Sequence, residues 1–208
     1  MNPLVKVRVS LIHDDCWTSE LNMYKTFTIN YSVYPNKGYL RSRIIVPKEL
    51  KEEVQKMKEA KGILKVEHVQ EMDKYILVDF LNRYNNSIAG YLYDNEVMFI
   101  SNKIEGSREI WEFIAPRSRV REIIEGLKGL SKVEYAEKSE VKINFLPNLT
   151  ETQLKILSYA LKYGYLDYPR RANADDIADK LGLSKITFLY HLRLAERKLI
   201  EHYLSFNG

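Results

Sequence analysis

The chain has 208 residues, 45% hydrophobic and 29% charged, a balance that excludes intrinsic disorder and suffices for one large core or two modest ones. Its 32 basic residues are interspersed with 28 acidic ones, so a formal charge of +4 does not by itself imply a nucleic-acid partner. The single cysteine excludes an internal disulfide, the first residues lack a leader pattern, and no apolar run approaches the roughly 18 residues of a membrane span, so a cytoplasmic protein with no membrane partner is expected.

In chain order, "VKVRVSLIH" alternates apolar and polar side chains, which predicts a half-buried strand. It runs into "HDDCW". One histidine and one cysteine fall short of a metal site, so the stretch reads first as a turn, with Asp14 and Asp15 as turn formers and Trp17 packed beneath. No metal and no cofactor is expected. If the strand end faces a cleft, His13, Asp14, Cys16 and Trp17 are instead the candidates for holding a soft metal, sensing a redox signal or lining a small-molecule pocket. "FTINYSVY" and "YLRSRIIV" predict two more strands, and "PKELKEEVQKMKEAKG" a helix with Leu50, Val54 and Met57 on one face. "ILKVEHVQ", "KYILVDFL", "SIAGYLY" and "VMFIS" complete the strand candidates, while His68 and, further on, His191 read as packing or surface residues.

An internal echo organises this half. "IIVPKELKEEVQKMKEAKGILKVEHV" returns as "FIAPRSRVREIIEGLKGLSKVEYA", each with an apolar strand, a proline, an amphipathic helix, a glycine and a "KVE" strand. Two such units predict an α+β fold, a ferredoxin-like or ACT-like antiparallel sheet with both helices on one face. Residues 1–146 are expected to form this domain, as a ligand-sensing or dimerisation unit by analogy of fold.

The remaining residues, 147–208, predict a helical domain, with "LPNLT" (Leu146 to Thr150) as the boundary. Thr150 and Gln153 have capping-box spacing before a first helix, for which Leu154, Leu157 and Leu161 supply an apolar stripe and Gly164 a stop. The tyrosines around that stop, 159, 163, 165 and 168, are expected to pack between domains rather than stack on bases. Asn173 caps a two-turn second helix that stops at Gly182, and Ser184 caps a third, expected over Lys185 to Leu204. On it Phe188, Leu192, Ala195 and Leu199 form an inward stripe, opposite Ile186, Tyr190, Arg193 and Arg197. Two short helices meeting at a glycine, the second with a polar and basic outer face, is the helix-turn-helix arrangement that reads the major groove. Arg193, Tyr190, Ile186 and Thr187 are the expected base-side contacts, Lys185, Arg197, Arg170 and Arg171 the phosphate contacts, and the capping Ser184 is counted with the DNA-binding residues.

"LT" before the first helix, "GY" then "PRR", "DIADKLGLSK" and "HLRLAERKL" resemble, in order and spacing, the archaeal bacterio-opsin-activator-type helix-turn-helix family. The resemblance covers about a quarter of the chain. It implies a C-terminal DNA-binding module of a transcription regulator attached to a variable sensing domain. Ile186, Leu189 and Tyr190 depart from the small polar and acidic residues usual there, which leaves the target sequence open. The chain is thus expected to be a regulator binding double-stranded DNA as a homodimer, with a small-molecule effector at the front domain. Two alternatives stand beside it: an adaptor docking on the basal transcription machinery through Ile186, Leu189 and Tyr190, and an enzyme with Cys16 as nucleophile and His13 as base. No Walker loop, nucleophile elbow or metalloprotease motif occurs, so a non-enzyme is expected.

Overall fold

The computed structural model describes residues 3–141 and 147–207, with side chains to residue 204. The chain divides into two compact units, Met1–Val141 and Lys142–Gly208. The boundary expected at Leu146 to Thr150 begins on residues that lie outside the described ones.

The front unit reads β1 (Leu4–Ile12), α1 (Trp17–Glu20), β2 (Met23–Tyr34), β3 (Tyr39–Pro47), α2 (Lys51–Lys56), β4 (Ile63–Glu71) and then β5 (Tyr75–Arg83), α3 (Ile88–Asp94), β6 (Met98–Gly106), β7 (Arg108–Pro116), α4 (Val120–Leu130), β8 (Lys132–Glu140). This is a βαββαβ sequence run twice. All strands join one antiparallel sheet in the order β4-β5-β3-β2-β6-β7-β1-β8. The first strand of each repeat lies between the third and fourth strands of the other, β5 between β3 and β4 and β1 between β7 and β8. The two halves have therefore exchanged their opening strands, and a pseudo-two-fold axis runs between β2 and β6.

Alternation decides which face is covered. Val5, Val7, Val9 and Leu11 of β1 form one core with Leu40, Phe113 and the apolar sides of α3 and α4. Ile44 and Val46, in phase with Leu40 on β3, form a second core with Trp17 of α1 and with Leu50, Val54 and Met57, the face expected around α2. All four helices thus lie on one side, as the ferredoxin-like reading requires. The other side carries ion pairs: Arg41 donates twice to Asp79 at 2.9 and 2.8 Å, Arg43 once at 3.2 Å, and Lys6 meets Glu112 at 3.0 Å. The Arg41 hydrogen bond, opposed by partial burial and reinforced by the charge of Arg43, holds the Asp79 carboxyl below the usual carboxylate range.

"SIAGYLY" is a helix and not the expected strand. Ser87 is extended and its Oγ accepts the Gly90 N–H at 2.9 Å, an N-cap that starts α3. Ile88, Ala89 and Leu92 then fall on one buried side. Glycine at 90 permits the approach, since a Cβ there would lie 2.6 Å from the Tyr84 carbonyl oxygen.

The second unit holds α5 (Glu151–Lys162), α6 (Ala174–Leu181) and α7 (Lys185–Asn207) around a core of Ile156, Ala160, Tyr165, Ile177, Ala178, Phe188 and Leu192. The expected leucine stripe of α5 is a correction: Leu154 and Leu161 are exposed, and Gln153, Ile156 and Ala160 face inward. Gln153 is buried because its Oε1 accepts both the Thr150 N–H at 3.1 Å and the Lys198 ammonium of α7 at 3.0 Å. Alanine at 160 lets the helix backbones approach closely. Leu199, expected in the inward stripe, is 36% exposed and not buried as Phe188, Leu192 and Ala195 are. The 23-residue α7 is nearly twice as long as the 12-residue α5 and overhangs it. Tyr165 packs inside this helical core, edge-on to Phe188 at 5.3 Å, and Tyr168 is wholly exposed.

Candidate functional site

Two places gather the residues singled out in the sequence. The first is a cavity of about 50 Å³ in the front unit, on the helix side of the sheet at the pseudo-two-fold axis. His13, Cys16 and Trp17 line it, from the end of β1 and the start of α1. Asp14 is exposed and does not, its carbonyl oxygen accepting the Ser19 hydroxyl at 3.0 Å. Trp17 is buried edge-on to Phe80 at 5.5 Å.

Glu109 of β7 joins this group, and sequence reading passed over it. It is buried, in phase with the inward Trp111, Phe113 and Ala115, and that phase is the signal by which it stands out: a carboxylate on the core side of a strand. Its Oε1 accepts the Thr18 hydroxyl at 2.6 Å and its Oε2 the Trp111 indole N–H at 2.8 Å. Burial, and next the Glu109 charge, push the Cys16 thiol up to about 12. A nucleophilic cysteine requires the opposite shift.

The second place is the turn between α6 and α7. Asn173 and Asp176 close a capping box at the start of α6, with bonds of 3.0 and 3.1 Å. At its end Gly182 takes φ +67°, the left-handed conformation that L side chains rarely adopt, and the Leu183 N–H returns to the Ala178 carbonyl at 2.9 Å. Ser184 Oγ accepts the Thr187 N–H at 3.1 Å and starts α7. Phe188, Leu192 and Ala195 of α7 are buried, while Ile186 and Tyr190 are 80% and 60% exposed and the Arg193 side chain 81%. Lys185 and Arg197 share the exposed side, and Thr187 is half-buried at its edge.

The basic groups of this surface are each held by a neighbour. Lys185 meets Asp175 at 2.8 Å, Arg193 meets Glu196 at 3.6 Å, Arg197 meets Glu201 at 2.7 Å and Arg171 meets Asp167 at 2.6 Å. Arg170 lies over the Tyr165 ring at 4.5 Å. Exposed pairs of this kind are weak enough for a stronger anion such as a phosphate to displace them. Among the described residues, no helix is long and apolar enough to cross a membrane.

Comparison with known proteins bears on the helical unit. A stretch of 57 residues, 27% of this chain, is 49% identical to a Haloferax volcanii protein provisionally named a transcriptional regulator, of which it covers 10%. A stretch of the same length is 39% identical to the transcriptional regulator NarO of Haloferax volcanii, of which it covers 27%. The chain thus spans only a minor part of these relatives, and no solved structure matches it significantly. The sequence model of the family described as HTH DNA binding domain matches residues 149–201, which span α5, α6 and most of α7. On that match and on the geometry of its capped helices, the C-terminal unit carries a helix-turn-helix domain of the bacterio-opsin-activator type.

Proposed function

We propose that this chain is a DNA-binding transcription regulator of the cytoplasm, in which residues 147–208 bind the duplex and residues 1–146 sense a signal and pair two copies. One observation carries the reading: the first turns of α7 stand out from the helical core, with Phe188 and Leu192 inward and Tyr190 and Arg193 outward. A helix so mounted fits the major groove, where Arg193 can pair with guanine and Ile186 or Thr187 can touch a thymine methyl. Ser184 and Tyr190 are assigned to the same surface, and Lys185, Arg197, Arg170 and Arg171 to the neighbouring phosphates. The related regulators support a role in transcription.

One recognition helix covers few base pairs, so two copies with half-sites about 34 Å apart, or a multiple of it, fit the task. The outer strands β4 and β8 are exposed and rich in Lys and Glu, which disfavours edge pairing. The open face of the central strands suits a second copy better. There Phe27 and Met98 remain exposed on either side of the pseudo-two-fold axis, the arrangement a self-complementary contact uses.

The test is titration of the full chain with genomic duplexes at two salt concentrations, followed by sequencing of the fragments it retains. A steep loss of affinity with salt and a recurrent motif among the fragments are expected. The exposure of Ile186 and Tyr190 favours a second reading, an adaptor that docks on the transcription machinery. That reading gains if binding is absent at both salt concentrations.

A further inference from the structure

We propose that His13, Cys16 and Glu109 form a binding site for a thiophilic divalent cation of the zinc class. One donor atom from each, imidazole nitrogen, thiol sulfur and carboxylate oxygen, lie within 4.8 Å of one another, and the groups are wholly or largely buried. Donors around a tetrahedral ion at 2.0–2.3 Å stand about 3.3–3.8 Å apart, so small side-chain rotations close the set. The adjoining cavity leaves room for the ion and a water as fourth ligand. Thr18 and Trp111 already hold the Glu109 carboxylate through one hydrogen bond to each oxygen, the outer support a metal-binding carboxylate needs. A sulfur, a nitrogen and a single oxygen select zinc, cobalt(II) or nickel(II) over magnesium and calcium, which take oxygen donors. On binding, the thiol proton leaves to solvent as the metal–sulfur bond forms.

The duplication of the front unit supplies an internal control. Strand pairing matches Leu11 with Glu109 in one half and Asn82 with Leu40 in the other, so Glu109 stands where the second copy has leucine. In the same register "HDDCW" corresponds to "YNNSI": His13 to Tyr84, and Cys16 to Ser87, each immediately before the first helix of its repeat. The fold is satisfied by Tyr, Ser and Leu at these places. One copy of the site alone carries three metal-binding donors, and the architecture requires none of them.

This inference deepens the sensing role proposed for the front unit and stands apart from the DNA reading, since its test contains no DNA. Untagged full-length protein, stripped with chelator, is titrated with cobalt(II) and followed by absorption. The result expected is one ion per chain, tetrahedral d–d bands and a near-ultraviolet thiolate-to-cobalt band, all reversed by zinc. Cys16 is the chain's single thiol, so that band has one source. Cys16→Ser and Glu109→Leu install the residues of the other repeat and are chosen to keep the fold, checked by circular dichroism. The first should remove the thiolate band and the second weaken affinity at least 10-fold, with Thr18→Val losing about 10- to 100-fold through the unsupported carboxylate. Absence of a thiolate band in the wild-type protein, or unchanged affinity in folded Glu109→Leu, would overturn the proposal.

Discussion

Replacing Arg193 by alanine separates base reading from charge attraction on the exposed face of α7. In the free protein the side chain is 81% exposed and its partner Glu196 is 3.6 Å away, so the fold should lose no more than about 0.5 kcal/mol. On DNA, a bidentate arginine–guanine pair contributes about 1–3 kcal/mol, roughly a 5- to 150-fold loss of affinity for the cognate duplex. A scrambled duplex should lose far less, because it offers no matched guanine. Arg171 is the control: its side chain is 69% exposed beside Asp167 and is assigned to phosphate. Arg171→Ala should weaken both duplexes alike and flatten the log–log salt dependence by about 0.9. Fluorescence anisotropy with both duplexes across a salt series measures all four quantities. Equal losses from the two substitutions on both duplexes would refute the assignment of Arg193 to a base.

Further expectations concern stability and reactivity. Phe188→Ala empties a fully buried ring site beside Tyr165 and should destabilise the helical unit by about 3–5 kcal/mol in denaturant titration; a loss below about 1 kcal/mol would contradict the packing described. Gly182→Ala meets no neighbour within 4 Å, so its cost is conformational, about 1–2 kcal/mol, and Gly182→Asn should fall between the two in thermal melts. Because Asp79 is held below its unfolded value near 3.9, its ion pairs stabilise the front unit at neutral pH, and that contribution fades as acid takes the pH below about 4. Asp79→Asn should flatten that acid limb in a pH series of melts. Cys16, with its thiol pushed up to about 12, should resist iodoacetamide at mildly alkaline pH until the protein unfolds; rapid alkylation of the native protein would revive the enzyme reading.

Much of the C-terminal unit was legible because its signals are local. Thr150 with Gln153, Asn173 and Gly182 fix helix ends within four residues of themselves, and each does so in the structure. Which side of α5 turns inward was not legible, since that depends on α7: the spacing of Leu154, Leu157 and Leu161 makes a stripe, but Lys198 and the cap draw Gln153 inside. In the front unit, the echo at Pro47 and Pro116 located the repeats. It did not reveal the exchange of β1 and β5, because a strand's alternation is the same whichever partner it pairs with. "SIAGYLY" is short and apolar enough to fit either period, and the cap at Ser87 decides it. Cys16 and His13 attracted notice by adjacency. Glu109 could be joined to them only by knowing that β1 lies against β7.

That exchange has a consequence for how the protein comes into being. The opening strand of the sheet domain, residues 4–12, hydrogen-bonds on both sides to segments 108–116 and 132–140, so during translation it must wait for the last strand of its domain to be synthesised. Until then Val5, Val7, Val9 and Leu11 lack their bed, and Lys6 and Arg8 between them are the guard against sticking to a neighbouring nascent chain. Translation halted after residue 71 would release a half with an orphaned strand and a vacant slot, able to be completed only by the other half.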